Sequence, residues 1–347
     1  MSEQAAQPDT TQQPPPQAIL MQFAMGYWQS QGMYVAAKLG LADLIGDGTK
    51  TSDQLAAETK THPRTLYRLM RALASIGIFA EDDEKRFSLT QLGQFLRTGK
   101  DSMRAGFLHW TENPSWAAWG NLDKSVETGE TGFVLTWGEE IFPYYAKHPE
   151  SNERFNDAMT NYSEAVSQAV LDFYDFSSAE TIVDIGGGHG SLINLILQKN
   201  PQARGILFDQ PAVIESAKKA NENNPIERCE LSGGDFFSEV PMGGDIYVMK
   251  AIIHDWGDDR SVKILQNVNK AMKDDGKLIL VEAVVTNEGQ NEVFSKWLDL
   301  HMLIMTGGME RTEAEYAQLL EKAGFRMTRV IPTPGLNQIV EAVKAKK

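Results

Sequence analysis

The stretch Thr181-Ile182-Val183-Asp184-Ile185-Gly186-Gly187-Gly188-His189-Gly190 decides the fold of the larger part of the chain. Its first five residues form a short apolar run that is typical of a buried strand. The glycines that follow permit a tight turn into a helix and let a ligand lie against bare backbone. The stretch therefore predicts a strand, a ligand-accessible loop and a helix in direct succession.

The rest of the C-terminal half repeats this alternation of strand and helix. Further strands are predicted at residues 205–209, 245–249, 277–283, 326–332 and 338–343, with another strand edge at Gly233, and helices over residues 192–197, 211–220 and 259–272. Thr312 and Glu315 form a capping box that begins a last helix, and Gly324 ends it. This alternation predicts an α/β fold with a doubly wound, mostly parallel sheet.

The N-terminal third has a different pattern. Helical spacing extends over residues 19–44, Thr51 with Gln54 forms another capping box, and Pro63 begins a further helix. Residues 78–89 indicate a small hairpin, and two helices with a hairpin are typical of a winged-helix domain. The predicted domains are a Pro-rich disordered tail (1–17), a winged-helix-like dimerisation domain (18–100), a helical linker that covers a substrate pocket (101–175), and a ligand-binding catalytic domain (176–347).

Charge limits the classes of function. The chain has 33 Lys and Arg against 47 Asp and Glu, a net charge of −14, and its first 100 residues are neutral. An acidic chain is unsuited to bulk electrostatic binding of nucleic acid. The winged-helix pattern has two interpretations. It indicates either a DNA-recognition domain or a dimerisation or lid module that has retained the fold without the activity, and the charge of the chain favours the second.

Other residue counts exclude further classes. The single cysteine, Cys229, excludes an internal disulfide framework and a Cys-rich zinc module. No apolar run reaches the roughly 20 residues that span a bilayer, and no basic segment precedes an apolar one at the N-terminus, so we expect a cytoplasmic protein without a membrane partner. No metal-ligand spacing is present among His62, His109, His148 and His189, so we predict no metal.

Acidic residues follow two strands beside the glycine loop. Asp209 ends its strand where it can accept hydrogen bonds from both hydroxyls of a ribose, and Asp235 with Phe236 can accept an adenine amine and cover the ring. The loop lacks the G-x-G-x-x-G spacing of dinucleotide sites, because Ser191 stands where the third glycine would fall. Together these features favour a ligand site that lacks a pyrophosphate cradle. The alternative, that the three elements are unrelated structural turns, is less favoured.

The glycine loop with Asp209 and Asp235 resembles the class I S-adenosylmethionine-dependent methyltransferases. The stretches Lys250–Trp256 and Gly307–Thr312 resemble, more narrowly, the small-molecule O-methyltransferases of the caffeic-acid and hydroxyindole type, found in plants and in bacterial secondary metabolism. The resemblance covers nearly everything after the Pro-rich tail. It implies a Rossmann-like, seven-stranded sheet and metal-independent methyl transfer from S-adenosylmethionine to a hydroxyl of an aromatic, phenol- or catechol-like small molecule.

A general base is expected beside the acceptor hydroxyl, because a phenol with a pKa near 10 is mostly neutral at pH 7. His254 follows a strand, Glu282 ends the next one, and Glu310 lies in the glycine-containing loop before the last helix. All three are therefore expected at the carboxyl edge of the sheet. The resemblance makes His254 the base, with Glu282 and Glu310 orienting the imidazole and favouring its cation.

The resemblance also suggests which other residues contact the ligands. The predicted cofactor-binding residues are Asp184, Gly186, Gly188, Asp209, Asp235, Phe236, Lys250 and Arg154, the last two of which could equally be surface charges. The predicted substrate-lining residues are Phe155, Met159, Tyr162, Asp255, His301, Met302 and Met305, where the helical spacings equally fit core packing. Family members often carry His where Tyr162 stands and an aromatic residue where Ala251 stands, which weakens the case for a plant-type phenylpropanoid.

Two other functions remain possible from the sequence. One keeps the cofactor for decarboxylation or hydroxylation, but such relatives tend to lose the base that is retained here. The other is a ligand-sensing DNA-binding regulator built on the winged helix. A cluster of large apolar residues near the N-terminus is too apolar to stay exposed. It comprises Met21, Phe23, Met25, Tyr27, Trp28 and Met33. The resemblance implies that the N-terminal helices carrying this cluster interlock with a second subunit in a homodimer.

Overall fold

The computed structural model describes residues 14–99, 102–289 and 291–346, without the side chains of residues 160–162, 164 and 165. It divides into two compact units, Met1–Glu112 and Asn113–Lys347. The first thirteen residues of the predicted tail lie outside the described residues. Helix formation begins at Pro16, so the last two residues of the predicted tail are helical, because proline is well suited to the first position of a helix.

The first unit combines helices with a small antiparallel sheet. Its elements are α1 (Pro16–Lys38), α2 (Leu41–Ile45), β1 (Lys50–Thr51), α3 (Ser52–Thr59), α4 (Pro63–Ser75), β2 (Phe79–Glu81), β3 (Arg86–Leu89), α5 (Gln91–Gln94) and α6 (Arg104–Thr111). The predicted capping box is present, since Thr51 and Gln54 exchange backbone-to-side-chain hydrogen bonds. The predicted hairpin is also present, with β3 between β1 and β2.

Helix α6 belongs to the first unit, although the sequence places the end of that domain at residue 100. The Arg104 Nε donates to the carbonyl of Ala37 at 2.8 Å, and the Gln31 side chain donates to the carbonyl of Thr111 at 3.4 Å. Because of these contacts with α1, the first compact unit extends to Glu112. Long-range packing of this kind leaves no periodicity in the sequence, so the extent of the compact unit is a tertiary property, and the predicted domain boundary at residue 100 stays a prediction.

The second unit is built on a seven-stranded sheet with the order β6-β5-β4-β7-β8-β10-β9. The strands are β4 (Thr181–Ile185), β5 (Arg204–Asp209), β6 (Cys229–Gly233), β7 (Ile246–Lys250), β8 (Lys277–Ala283), β9 (Phe325–Ile331) and β10 (Asn337–Lys344). The pairs from β6 to β8 are parallel, and β10 is antiparallel to both of its neighbours. The predicted doubly wound, mostly parallel sheet is therefore confirmed.

Helices surround this sheet and precede it. They are α7 (Asn113–Trp119), α8 (Leu122–Thr128), α9 (Gly132–Trp137), α10 (Ile141–Lys147), α11 (Pro149–Phe173), α12 (Ser191–Lys199), α13 (Pro211–Ala220), α14 (Asp258–Ala271), α15 (Glu292–Met305) and α16 (Glu313–Lys322), with a 3₁₀ turn at Ile253–Asp255. The Thr312–Glu315 capping box closes as predicted. Within the described residues, no helix is both long and apolar enough to cross a bilayer.

The sheet arranges the polar residues in a fixed order along one edge. Because the five parallel strands end at the same edge, the loops after β6, β5, β4, β7 and β8 lie side by side. Asp235, Asp209 and the glycine loop therefore lie toward one side of this edge, and His254 and Glu282 toward the other. The first group is called the glycine-loop half below, and the second, together with the loop Gly307–Thr312, the histidine half.

Candidate active site

The glycine loop leaves backbone open to a ligand. Gly186, Gly188 and Gly190 have φ values of 68°, 60° and 82°, which glycine adopts without steric cost. A Cβ atom on Gly187 would lie 2.6 Å from the Asp184 Oδ2, whereas one on Gly188 would meet nothing within 4 Å. Gly188 therefore presents its backbone to open space, and Gly187 closes the loop onto the strand below.

Asp184 lies beneath this loop. Its side chain is buried, and neither carboxylate oxygen has a hydrogen-bond partner within the described part of the chain. Burial raises the pKa of Asp184 to about 7. The carboxyl group of Asp184 lies close under Gly187, and its assignment to cofactor binding stays a prediction.

Asp209 and Asp235 lie at the carboxyl ends of the two adjacent strands. Asp209 Oδ2 accepts from the Gly188 amide at 2.9 Å, and Oδ1 accepts from the Gln210 amide at 2.7 Å. Burial raises the pKa of Asp209 above its ordinary value. Asp235 is exposed and accepts from the Phe237 amide at 2.9 Å, while the half-buried Phe236 packs edge-on against Phe237. Each carboxylate therefore has further lone pairs for a ligand.

His254 and Glu310 form a direct pair in the histidine half. The imidazole Nδ1 lies 2.7 Å from the Glu310 Oε1, although 56 residues separate them in sequence. A carboxylate oxygen accepts only, so Nδ1 carries the hydrogen and donates it. Nε2 is therefore the nitrogen that is left to accept a proton. The His254 side chain is 15% exposed and the Glu310 side chain is fully buried.

Glu282 acts on the backbone of the same turn more than on the ring. Its Oε1 accepts from the amides of Ile252 and Ile253 at 3.1 and 2.8 Å, and its Oε2 lies 3.9 Å from the His254 Nδ1. The two carboxylates were predicted to orient the imidazole together. In the structure Glu310 holds the ring, whereas Glu282 anchors the turn that carries it.

The charges around His254 alter its protonation. Burial opposes the imidazolium, but the carboxylates of Glu310, Asp255 and Glu282 outweigh burial and raise the pKa of His254 to about 10. Burial also raises the pKa of Glu282 to about 7 and that of Asp255 to about 6. Asp255 Oδ1 lies 3.7 Å from the His254 Nε2, so it borders the ring nitrogen that faces away from Glu310.

The same three residues have the composition of a metal site. Donor atoms of His254, Glu282 and Glu310 lie within 4.8 Å of one another. However, the 2.7 Å separation between Nδ1 and the Glu310 Oε1 is a hydrogen-bond distance, and the Glu282 Oε1 already accepts from two amides. The described contacts of these donor atoms are therefore hydrogen bonds within the chain.

The predicted substrate-lining residues lie in different environments. Phe155 stacks on Tyr145 at 5.0 Å between ring centroids, and the His301 Nδ1 accepts from the Trp119 indole at 3.0 Å. Met302 and Met305 are buried, and Met305 belongs to a hydrophobic cluster with Phe133. Met159 is half-buried, and Tyr162 has its side chain outside the described residues.

The two predicted cofactor-binding cations differ in their surroundings. Arg154 is partly exposed on α11, 3.9 Å from the carboxylate of Glu150. Lys250 is at the end of β7, and its ammonium group donates to the Ser163 hydroxyl of α11. Burial lowers the pKa of Lys250 against the opposing charges of Asp184 and Glu282. Lys250 therefore lies between the two halves of the site, as its place between the β4 and β8 strand ends requires.

Two residues of the site were missed by the sequence reasoning. Asp299 on α15 accepts from the Glu310 amide at 2.9 Å, and Arg311 is a fully buried cation directly after Glu310. No local motif marks Asp299, because its partner lies in another loop. Arg311 could have been noticed, since it stands in the Gly307–Thr312 stretch and a buried cation requires partners.

Comparison with known proteins gives family matches in both parts of the chain. Residues 119–326 match the O-methyltransferase domain, and residues 21–99 match the O-methyltransferase dimerisation domain. The chain is 46% identical to the phenazine O-methyltransferase PhzM of Lysobacter antibioticus over 94% of this chain and 96% of that protein.

Solved structures extend the comparison to the fold. The crystal structure of LaPhzM aligns with a TM-score of 0.91 at 45% identity, covering 95% of this chain and all of that one. CalO1, a methyltransferase in calicheamicin biosynthesis solved in its S-adenosylhomocysteine-bound form, aligns with a TM-score of 0.81 at 31% identity over 96% of this chain and all of that one.

Proposed function

Because the chain belongs to the family of S-adenosylmethionine-dependent O-methyltransferases, we propose that it methylates a hydroxyl group on a planar aromatic molecule and that His254 removes the hydroxyl proton. The single observation that carries the base assignment is the 2.7 Å pair between the His254 Nδ1 and Glu310, which leaves Nε2 as the nitrogen that can accept the hydroxyl proton. The phenazine substrate class of the 46% identical relative supports the choice of acceptor.

The glycine-loop half fits the cofactor. Asp209 uses one lone pair on each oxygen for backbone amides and has two more for the ribose hydroxyls. The open space at Gly188 admits a ligand against the backbone, and the exposed Asp235 carboxylate suits the adenine amine. When bound, S-adenosylmethionine supplies a methyl group on a positively charged sulfur. Gly186, Gly188, Asp209, Asp235 and Phe236 would hold it.

The histidine half prepares the acceptor oxygen for attack. The Nε2 accepts the hydroxyl proton, and the Nδ1–H group donates to Glu310 throughout, so the ring cannot rotate away. The resulting imidazolium lies beside three carboxylates, of Glu310, Asp255 and Glu282, which compensate its charge. The same pairing permits the reverse order, in which an acidic acceptor arrives as an oxyanion and meets an imidazolium. In both orders, the acceptor oxygen and the His254 Nε2 share a single proton.

A transfer assay with matched acceptors tests this proposal. The purified chain, S-adenosylmethionine with a labelled methyl group and a hydroxylated aromatic acceptor are expected to yield labelled ether and S-adenosylhomocysteine. Ring systems of the same size that lack the hydroxyl group, or carry an amine instead, are expected to remain unlabelled. Label on the amine with none on the hydroxyl compound would contradict the proposal, as would a lack of transfer to every hydroxylated ring.

Removal of divalent metal provides a second test of the same residues. A proton-transfer role predicts that dialysis against EDTA leaves the rate unchanged, because the His254–Glu310 pair needs no ion. A loss of activity that Mg²⁺ or Zn²⁺ restores would instead make the three side chains metal ligands.

We also propose a homodimer formed through α1. The match to the dimerisation domain includes most of this helix, and five of its large side chains are more than half exposed. These are Leu20 (67%), Met21 (57%), Phe23 (74%), Tyr27 (53%) and Trp28 (59%). Light scattering is expected to give twice the 38.6 kDa mass of the chain, and Phe23→Glu with Leu20→Glu to lower it. A wild-type monomer at micromolar concentration would contradict this proposal.

A further inference from the structure

Behind the His254–Glu310 pair lies a buried arginine that the mechanism above does not use. Arg311 is 1% exposed and is among the largest fully buried side chains of the described residues. A buried guanidinium is costly unless its donors are satisfied. Its hydrogen bonds therefore indicate what it does.

Two of these hydrogen bonds reach the turn that carries the base. The Nη1 donates to the carbonyl of Ile253 at 3.3 Å, and the Nη2 donates to the carbonyl of Trp256 at 2.9 Å. One carbonyl directly precedes His254 and the other follows it by two residues. Arg311 thus fixes the turn on both sides of the imidazole.

Further contacts reach the loop that carries Glu310. The Nη1 also donates to the Met309 carbonyl at 3.3 Å, and the Met309 amide donates to the His254 carbonyl at 2.9 Å. A Cβ atom on Gly308 would lie 1.9 Å from the His254 carbonyl oxygen, so only glycine permits this approach. The two loops of the pair are therefore held against each other through backbone groups, with Arg311 bonded to both.

The backbone of Arg311 connects this arrangement to the segment that follows Glu282. Its carbonyl accepts from the Val285 amide at 3.0 Å, and the residue forms a parallel bridge with Val284. These residues extend the strand that ends just after Glu282. One residue therefore contacts the segments that carry His254, Glu282 and Glu310.

The charge of Arg311 is balanced at a distance from the reacting atoms. Asp258 Oδ1 accepts from Nε at 3.2 Å and from Nη2 at 2.9 Å, and the Ser261 hydroxyl accepts at 3.4 Å. Asp258 begins α14 and is half exposed. The planar fork of a guanidinium spans all these acceptors, whereas the single nitrogen of a lysine cannot.

We propose that Arg311 is a positioning residue that sets the distance between the His254 imidazole and Glu310 by clamping the backbone of both loops. The proposal rests on the proposed function, because that function gives the pair its role as the base. Arg311 acts through His254 and touches neither the acceptor nor the cofactor. A residue that only stabilised the fold would affect the melting temperature without changing the protonation of His254.

The experiment compares two arginines that each hold three backbone carbonyls. Arg228 donates to the carbonyls of Leu197, Asn200 and Ala203, away from the histidine half. The variants are Arg311→Lys and Arg228→Lys, which keep the charge and lose the fork. For each variant we would measure the melting temperature, the Kd for S-adenosylmethionine, kcat and KM for the acceptor, and the NMR titration of His254 in ¹³C-histidine-labelled protein. His254→Gln identifies the His254 signal.

The expected result for Arg311→Lys is a fall in kcat of roughly 10–100-fold, because a misplacement of about 1 Å at a reacting group has this effect. The Kd for the cofactor and the acceptor KM should stay within about twofold. His254 should titrate at lower pH than in the wild type, because the positive charge is retained while the Glu310 pair loosens. Arg228→Lys should lower the melting temperature and leave kcat and the His254 titration unchanged. Should Arg311→Lys fail to fold, Asp258→Ala is the second variant, because it removes the carboxylate that orients the guanidinium. A smaller fall in kcat and a smaller shift of the His254 titration to lower pH are then expected.

Wild-type kcat and a wild-type His254 titration in a folded Arg311→Lys or Asp258→Ala protein would overturn the proposal. An equal loss of kcat in Arg228→Lys would also overturn it, because general destabilisation would then explain both. The titration requires no turnover, so it tests the clamp even if the wild type methylates no hydroxylated ring. Full activity of His254→Gln would refute the proposed base without changing the titration result.

Discussion

The two halves of the sheet edge are built in different ways. In the glycine-loop half, Asp235 and Asp209 bond to amides one or two residues away, and Asp209 also reaches the glycine loop. In the histidine half, the contacts that matter join His254 to Glu310 and Ile253 to Glu282, across 56 and 29 residues. The first half is thus built mainly from local turns, with one contact across 21 residues, whereas the second depends on contacts between segments that are far apart in the sequence. The difference teaches that binding and proton transfer should respond separately to substitution.

The largest separation is expected from removal of the base. His254→Ala should lower kcat by about 10²–10⁴-fold, the usual contribution of general-base catalysis. Calorimetry should find the Kd for S-adenosylmethionine within about twofold of the wild-type value, because the described partners of the His254 side chain all lie in the histidine half. A variant that lost cofactor affinity to the same extent as kcat would show that the two halves act as one.

The pH dependence of kcat/KM tests the histidine half alone. His254 has a pKa of about 10, raised from 6.5, and one proton must be shared by His254 and the acceptor. For an acceptor with a pKa near 10, the rate should rise about tenfold per pH unit toward pH 10, or roughly 100-fold from pH 7 to pH 9. For a more acidic hydroxyl, the plateau should begin near the acceptor's own pKa and end as His254 loses its proton.

Glu310→Gln sharpens this measurement. Loss of the carboxylate charge lowers the pKa of His254, so the alkaline end of the plateau should move to lower pH. The glutamine oxygen can still accept from Nδ1, which keeps the ring in place. An unchanged pH profile in this variant would show that another group titrates.

A smaller and opposite effect is expected in the glycine-loop half. Asp209→Ala should weaken S-adenosylmethionine binding roughly 10–100-fold, since hydrogen bonds to a charged group are lost. At saturating cofactor, kcat should remain within about twofold. Asp175→Ala is the matched control, because Asp175 also accepts from a backbone amide, that of Ser177 at 2.9 Å, but lies before β4. Equal losses of affinity in both variants would mean that the effect is not specific to the site.

The smallest expected effects are changes in melting temperature at two backbone positions, one in the glycine loop and one just after β7. Ala251 has φ of 54° and Gly188 has φ of 60°, both in the left-handed region. A Cβ atom there costs roughly 1–2 kcal/mol, so Ala251→Gly should raise the melting temperature by a few degrees and Gly188→Ala should lower it. Calorimetric scans of both variants measure whether the melting temperature rises in Ala251→Gly and falls in Gly188→Ala. A destabilised Ala251→Gly protein would show that the methyl group has packing partners that outweigh the strain.

The sequence was a good guide where information is local. Hydrophobic runs and capping boxes predicted β4, α13, β8 and α16 close to their observed bounds, because periodicity and caps act within a few residues. The same holds for Asp209 and Asp235 at their strand ends. The three residues His254, Glu282 and Glu310 could be placed at one edge because parallel strands end together.

The sequence was a poor guide where the arrangement depends on tertiary contacts. It gave Glu282 and Glu310 the same role, and it did not find Asp299 or assign a role to Arg311. Nor do sequence patterns indicate that α6 packs on α1, because these contacts join residues far apart in the chain. The position of the Asp184 carboxyl group under the glycine loop was likewise not predicted, since a sequence motif does not specify the direction of a side chain.

The hydrogen bond from the Glu310 amide to Asp299 has a consequence for changing the acceptor range of this enzyme. Asp299 shares α15 with His301, Met302 and Met305, so the helix proposed to shape the acceptor wall also anchors the partner of the base. Substitutions that displace this helix to admit a larger ring would displace Glu310 as well. Directed evolution for new acceptors is therefore expected to proceed more readily through Phe155 on α11, which stacks on Tyr145.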